Sequence, residues 1–212
     1  MRPYESRDRS LVVWGGVAGV VMTVVYGLGQ ALPEFGFDPS PAGAMRVFFL
    51  IAAVFGPLGV VNSYAIYRVL AWERDGAPNR LSLVLSVLAY GAVTIMLLVQ
   101  GSVGYYAADL DAAGASVDLL RAVDLGIDLA WDVFMGASLF LTGFVMWRHG
   151  RFGRGWAVPA IVLGTMLVVL NGLTAPVPPN AAGLFDVGPL TALYGVGLSG
   201  WIIRIGAKLP RA

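Results

Sequence analysis

Apolar positions in this chain fall into six runs, 11–30, 48–70, 82–104, 126–147, 156–174 and 188–204, separated by short islands of charged and turn-forming residues. Each run is about 17 to 24 residues long, which is the length that crosses a bilayer core as an α-helix. The pattern predicts an all-α polytopic bundle of six transmembrane helices. Residues 1–212 then form a single integral membrane domain with no room for a separate soluble one. Around the end of the first run, from Leu11 to Gln30, small residues stand at Gly29 and Ala31, as at a cleavage site. The run exceeds the apolar core of a typical signal peptide, so it reads as an uncleaved first span.

Composition sharpens this picture. Hydrophobic residues make up 58% of the chain and charged ones 13%, with a mean hydropathy of +0.75. Such a surface cannot mostly face water. Net charge is +1 and there is no basic tract, so nucleic acid is not an expected partner. The absence of cysteine removes disulfides, thiolate metal sites and cysteine nucleophiles. Arginine outnumbers lysine thirteen to one, a bias common in GC-rich bacterial genomes.

The basic residues give an orientation. Arg2, Arg7 and Arg9 precede the first span, and Arg68, Arg74 and Arg80 flank the second connector. Arg148, Arg151 and Arg154 flank the fourth, and Arg204, Lys208 and Arg211 end the chain. With six spans, all twelve fall on one side and only Arg46 and Arg121 of the fourteen fall on the other. The positive-inside rule then places both termini in the cytoplasm. The opposite connectors are acidic, with Glu34, Asp38, Asp109, Asp111, Asp118, Asp124 and Asp186. Trp14, Trp72, Trp147, Trp156 and Trp201 lie near the arginine-rich ends and read as interfacial anchors. His149, the one histidine, sits in an arginine loop far from the acidic side, so a histidine metal site or serine–histidine triad has no material.

Two outer connectors stand out. In 109–126 the chain begins as a loop and turns helical from Ser116, a suitable N-cap, with Asp118 at the positive helix end. This short amphipathic helix precedes the fourth span and runs into it, with Gly126 as a bend. In 174–189 four prolines, Pro178 and Pro179 among them, exclude regular helix and predict a stiffened lid or turn. Gly15 and Gly19 in the first span, and Gly195, Gly197 and Gly200 in the sixth, read as seams where helices approach closely. Tyr67-Arg68 with Arg74 echoes Trp147-Arg148 with Arg154, a similarity that the positive-inside rule alone accounts for.

The candidate chemistry lies in the stretch VDLGIDLAWDVF, residues 123–134, where Asp124, Asp128 and Asp132 are four apart. At 100° per residue they share one helix face about 120° wide with Arg121 and Asp118. Leu139, Gly143 and Gly136 continue that face inward. Val133, Phe134, Ala137, Leu141 and Val145 occupy the other, which suits lipid. Asp132 lies about 22 Å above Trp147, well inside the bilayer, where an aspartate costs roughly 2.5–3.5 kcal/mol on insertion scales. Asn171 in span five is at the same depth relative to Trp156. Tyr194 and Thr191, Gln100 and Tyr105, and Tyr26 and Gln30 add polar groups to the same half, and Asn62 sits nearer the midplane. These are the ingredients of an outward-open polar cavity.

Three function classes compete. The first is a binding or transport module for a cation, proton or small polar ligand, with Asp128, Asp132, Asn171, Asp186, Tyr194 and Gln100 as the site. Oxygen-only ligands favour a hard cation over zinc, without forming a metal motif. The second is a structural or accessory membrane subunit that packs through its glycine faces, alone or in an oligomer, with Asp132 pinning helix register. The third is an intramembrane enzyme. An aspartyl protease needs two facing aspartates at similar depth on different helices, and Asp132 has only Asn171 at its level. Phosphate-loop, dinucleotide and zinc-helix motifs are absent, and nothing calls for a cofactor.

The segments DLAWDVF, WRHGRFGRG and LNGLTAPVPPNAAGLFDVGPLTALY also carry a resemblance. Over roughly 124–195 the chain resembles an uncharacterised family of bacterial multi-pass membrane proteins. That family has a similar Trp-Asp pair, Arg-Phe-Gly loop and Pro-Pro…Asp-x-Gly-Pro lid. The pattern falls here on Trp131, Asp132, Arg151, Gly153, Asn171, Pro178, Pro179, Asp186, Gly188 and Pro189. His149-Gly150-Arg151 departs from the expected His-Pro-Arg. The resemblance implies a bacterial cytoplasmic membrane protein and no particular chemistry.

Overall fold

A computed structural model describes residues 8–31, 40–112, 117–175, 177–179 and 182–210. Glu34, Asp38 and Ser116 lie outside the described residues, as do the side chains of Gln30, Asp109, Asp111 and Asp118. The described residues form six helices and no strand: α1 (Arg9–Ala31), α2 (Pro41–Arg74), α3 (Ala77–Ala112), α4 (Val117–Met146), α5 (Gly153–Thr174) and α6 (Gly188–Ala207). All six are long and apolar enough to span a membrane. Trp14, Phe49, Phe144, Leu173 and Leu193 are exposed on the outside of the bundle, an apolar coat that suits lipid and not water. The chain is a multi-pass membrane protein.

Several helices outrun their apolar stretches. α2 has 34 residues and α3 has 36. Ser40 caps α2, its hydroxyl accepting from the Gly43 amide, and Pro41 occupies the first turn, where its missing N–H costs nothing. The segment 109–112, expected as loop, is the last turn of α3. The amphipathic segment before the fourth span is the start of α4, which runs through Gly126 as continuous helix.

The helices pack in chain order around a ring. α1 lies on α2, α2 on α3, α3 on α4 and α4 on α5; α6 closes the ring against α1 and touches α5 only lightly. Glycines set the close approach at several of these seams. A Cβ on Gly15 would strike Ala65 of α2, and one on Gly19 would strike Asn62 and Ser199. Gly136 and Gly143 of α4 lie against backbone carbonyls of Gly164 and Ala157 in α5. The expected seam in α6 is different. Gly195 and Gly200 face open space and Gly197 meets only the edge of Trp156, whereas Gly206 packs on Val12 and Val13. Asn62 donates to the Gly15 carbonyl at 2.9 Å and to the Ser199 hydroxyl at 3.2 Å, so one amide ties α1, α2 and α6 together.

One end of the bundle gathers the arginine loops. Arg68 grips Asp8 at 2.8 Å, and Trp72 Nε1 donates to the same carboxylate at 3.0 Å. Trp201 Nε1 donates to the Arg151 carbonyl at 2.9 Å. Trp72 is buried in the core and so departs from the anchor expected of all five, while Trp156 and Trp201 are partly buried with ring centroids 5.8 Å apart. His149 is fully enclosed between the loops, its Nε2 bonded to the Val69 carbonyl at 3.2 Å and its Nδ1 accepting from the Arg151 amide at 3.2 Å. The other end carries the aspartates.

Candidate functional site

Between the helices lies a cavity of about 770 Å³. α1, α2, α3, α4 and α6 supply its walls, together with the connector that follows α5. Along α4 it extends from Asp128 to Thr142, about 21 Å at 1.5 Å per residue. The regular fourfold spacing of the acids explains their place in it. Asp128 and Asp132 are one turn apart on the face of α4 that also carries Trp131, Met135 and Ser138, and that face lines the cavity. The glycine edge of the same helix lies against α5, which is why α5 can sit close behind without filling the cavity.

The expected site residues do not all converge. Asp128, Asp132, Asp186, Gln100 and Tyr194 line the cavity. Asn171 does not. It is buried behind α4, its amide donating to the Leu167 carbonyl at 2.9 Å, and it approaches the Asp132 carboxylate from the α5 side. Equal depth placed it beside Asp132, but on the seam and not in the open space. Gln100 turns its amide to Asp124 at 3.3 Å. The Tyr194 ring lines the cavity while its hydroxyl donates to the Trp156 carbonyl at 3.0 Å, toward the arginine end. Asp186 accepts from the Gly188 amide at 2.8 Å, which fixes its carboxylate beside the start of α6.

The connector holding Asp186 is built from turns. Amides of Ala182 and Leu184 donate to the carbonyls of Pro178 and Pro179 at 3.1 and 2.7 Å, and Gly183 supplies a positive φ of 79°. Pro178, Pro179 and Asp186 border the cavity, so this connector forms its rim at the aspartate end.

Electrostatically the site is one-sided. Asp128 and Asp186 lie close enough to Asp132 to repel its charge, and Tyr26 of α1 lies within the field of all three. Among the described residues none of these carboxylates is held in an ion pair. Asp132 is 8% exposed, and its one polar side-chain neighbour with an attractive effect among the described residues is the Asn171 amide. A buried charge without a partner is expensive, which makes the cavity acceptor-rich and short of positive charge. No group of three or more histidine, cysteine or acidic side chains is arranged to hold a metal among the described residues.

On the opposite wall sequence reasoning found Tyr26 but missed Phe55 and Tyr90. The three rings pack tilted and edge-on from α1 through α2 to α3, with ring centroids 4.9 and 5.7 Å apart. All three line the cavity, as does Trp131, whose buried indole Nε1 has no acceptor. Their spacing on three different helices leaves no local signal. Deeper in, Ser82, Ser86, Ser138 and Thr142 form a closed hydroxyl cluster. Ser86 pairs with Ser138 at 2.6 Å, Ser138 donates to the Ser82 carbonyl at 2.8 Å, and Thr142 donates to the Ser82 hydroxyl at 3.1 Å. The lipid-facing side of α4 also differs in part from expectation. Val145 is buried in the core at the arginine end, while Phe140 and Phe144 are exposed. Against known proteins, the chain matches no family model, no curated protein and no solved structure.

Proposed function

We propose that this chain is a binding or transport module of a bacterial cytoplasmic membrane, with both termini inside and the carboxylate-lined cavity opening outward. Its ligand class is a cation, a proton or a small polar molecule. One observation carries the reading: Asp128, Asp132 and Asp186 face a single cavity of about 770 Å³ with no basic partner among the described residues. Cavities of that size suit small ligands, and a concentration of unpaired carboxylate attracts positive charge. The orientation rests on the arginine distribution. The bacterial assignment rests on the family resemblance of residues 124–195.

The second reading, a structural subunit with Asp132 as register pin, is favoured by the approach of Asn171 to Asp132 across the α4–α5 seam. One experiment separates them. The protein in lipid nanodiscs is unfolded thermally across a series of sodium, potassium and organic cations and across pH. A bound ligand at about 100 times its Kd raises stability by about 2.7 kcal/mol. The expected result is such a rise in the native protein and its loss in Asp132→Asn. If no cation or pH change separates the two proteins, the binding reading falls and the register pin stands.

A further inference from the structure

We infer that the cavity takes an organic ammonium ion with an apolar body, held between the α4 carboxylates and the aromatic wall of α1, α2 and α3. The inference rests on the binding reading above and names its ligand.

Size argues first. A volume of about 770 Å³ is far larger than a bare metal ion or a proton needs, and falls in the range of organic ligands. Metal ions also want several converging oxygens, and among the described residues no three acidic or histidine side chains are grouped to hold one. The lining argues second. Away from the three carboxylates the walls include Met22, Phe55, Tyr90, Met135 and Leu139, surfaces that shed water readily onto an apolar ligand, beside polar side chains such as Asn62 and Gln100 that are engaged in hydrogen bonds of their own. The hydroxyls at the deep end make no demand on a ligand, because they bond to one another and to the Ser82 and Asn79 carbonyls.

Geometry joins the two. The tilted, edge-on cluster of Tyr26, Phe55 and Tyr90 lines the same cavity as Asp128 and Asp132, and Tyr26 lies within the field of both acids. An alkylammonium or quaternary ammonium head gains from aromatic faces and from carboxylates at once, and is only weakly hydrated. A small hydrated cation gains from the carboxylates alone. Asp132 is nine-tenths buried on the cavity-lining face of α4, and among the described residues no basic side chain pairs with it, so an ammonium head bound there would meet a carboxylate that the protein does not itself neutralise.

The test uses the full chain in nanodiscs and benzyltrimethylammonium as probe, with benzyl alcohol as neutral comparator and sodium as a small cation, read by calorimetry. The expected result is saturable one-to-one binding of benzyltrimethylammonium, at least tenfold tighter than benzyl alcohol. Asp132→Asn weakens it at least tenfold. Phe55→Leu, which keeps apolar volume and removes a π face, weakens it about three- to tenfold. Asp128→Asn serves in place of Asp132→Asn if the latter does not fold. Binding that ignores both acid substitutions, or equals that of benzyl alcohol, overturns the inference. Asp132-dependent sodium binding without benzyltrimethylammonium binding overturns the ligand class and leaves the cation reading intact. Failure of both probes removes both.

Discussion

Arg68 of α2 holds Asp8, the residue before α1, through both carboxylate oxygens at 3.0 and 2.8 Å. Asp8 sits where the helix dipole is positive, and Trp72 adds a third hydrogen bond to it. The start of α1 is therefore fastened to the end of α2. Asp8→Ala should lower stability by roughly 1–3 kcal/mol, the scale of hydrogen bonds to a charged group left unmade. Thermal unfolding in detergent measures this. Asp8→Asn should recover part of the loss, and an unchanged melting temperature for Asp8→Ala would mean the grip contributes nothing.

The α4–α5 seam and the free face of α6 make opposite predictions for the same change. A Cβ on Gly136 would lie 2.7 Å from the Gly164 carbonyl, which is backbone and cannot rotate away. Gly136→Ala should cost about 1–3 kcal/mol by overpacking. Gly200 has nothing within 4 Å, so Gly200→Ala should be neutral or gain up to about 1 kcal/mol from helix propensity. Equal melting temperatures for the two variants would show that close approach does not hold α4 against α5.

His149 gives a pH dependence. Burial pushes its imidazole below the ordinary value of 6.5, outweighing the attraction of Glu73. The unfolded chain then binds a proton at a pH where the folded chain does not. Stability is present above about 6.5 and falls as pH drops from there toward the depressed folded value. Melting temperature should decline across that window in the native protein and decline less in His149→Gln. Parallel curves would remove His149 from the linkage.

Sidedness can be read with single cysteines, since the native chain has none. Gly155 at the arginine end is exposed and a Cβ there meets nothing within 4 Å; Leu184 in the opposite connector is 43% exposed. In intact cells an impermeant maleimide should label Leu184→Cys and spare Gly155→Cys. The reverse pattern would invert the orientation.

The six spans were legible because lipid demands an apolar stretch per crossing, and the arginine islands marked one end of the bundle without any knowledge of packing. The stripe of Asp128 and Asp132 was legible because helical periodicity is local. What lay beyond reach depended on contacts between distant segments. Hydropathy ends where charge begins, so Arg46 and the 109–112 turn were assigned to connectors although the backbone continues as helix. Asn79 lies between the second and third apolar runs, where hydropathy marks only a connector, but it is fully buried and donates to the Tyr67 carbonyl. Trp72 and His149 read as interface and loop; only the folding of two arginine loops onto each other encloses them. Depth matched Asn171 to Asp132, while depth alone cannot tell a seam from a cavity.

The closing of the ring by α1 and α6 has a consequence for biogenesis. Asn62 can bond Gly15 as soon as the first hairpin is in the membrane, but its second acceptor, Ser199, lies 137 residues further along the chain. At about 5–20 residues per second the ribosome needs roughly 7 to 27 s to deliver it. Throughout that interval the polar interior lacks its fifth helical wall, and the nascent bundle is an open trough facing lipid. The last helix is thus the keystone of assembly: a chain stopped before Gly188 carries its carboxylates without a vessel to hold them.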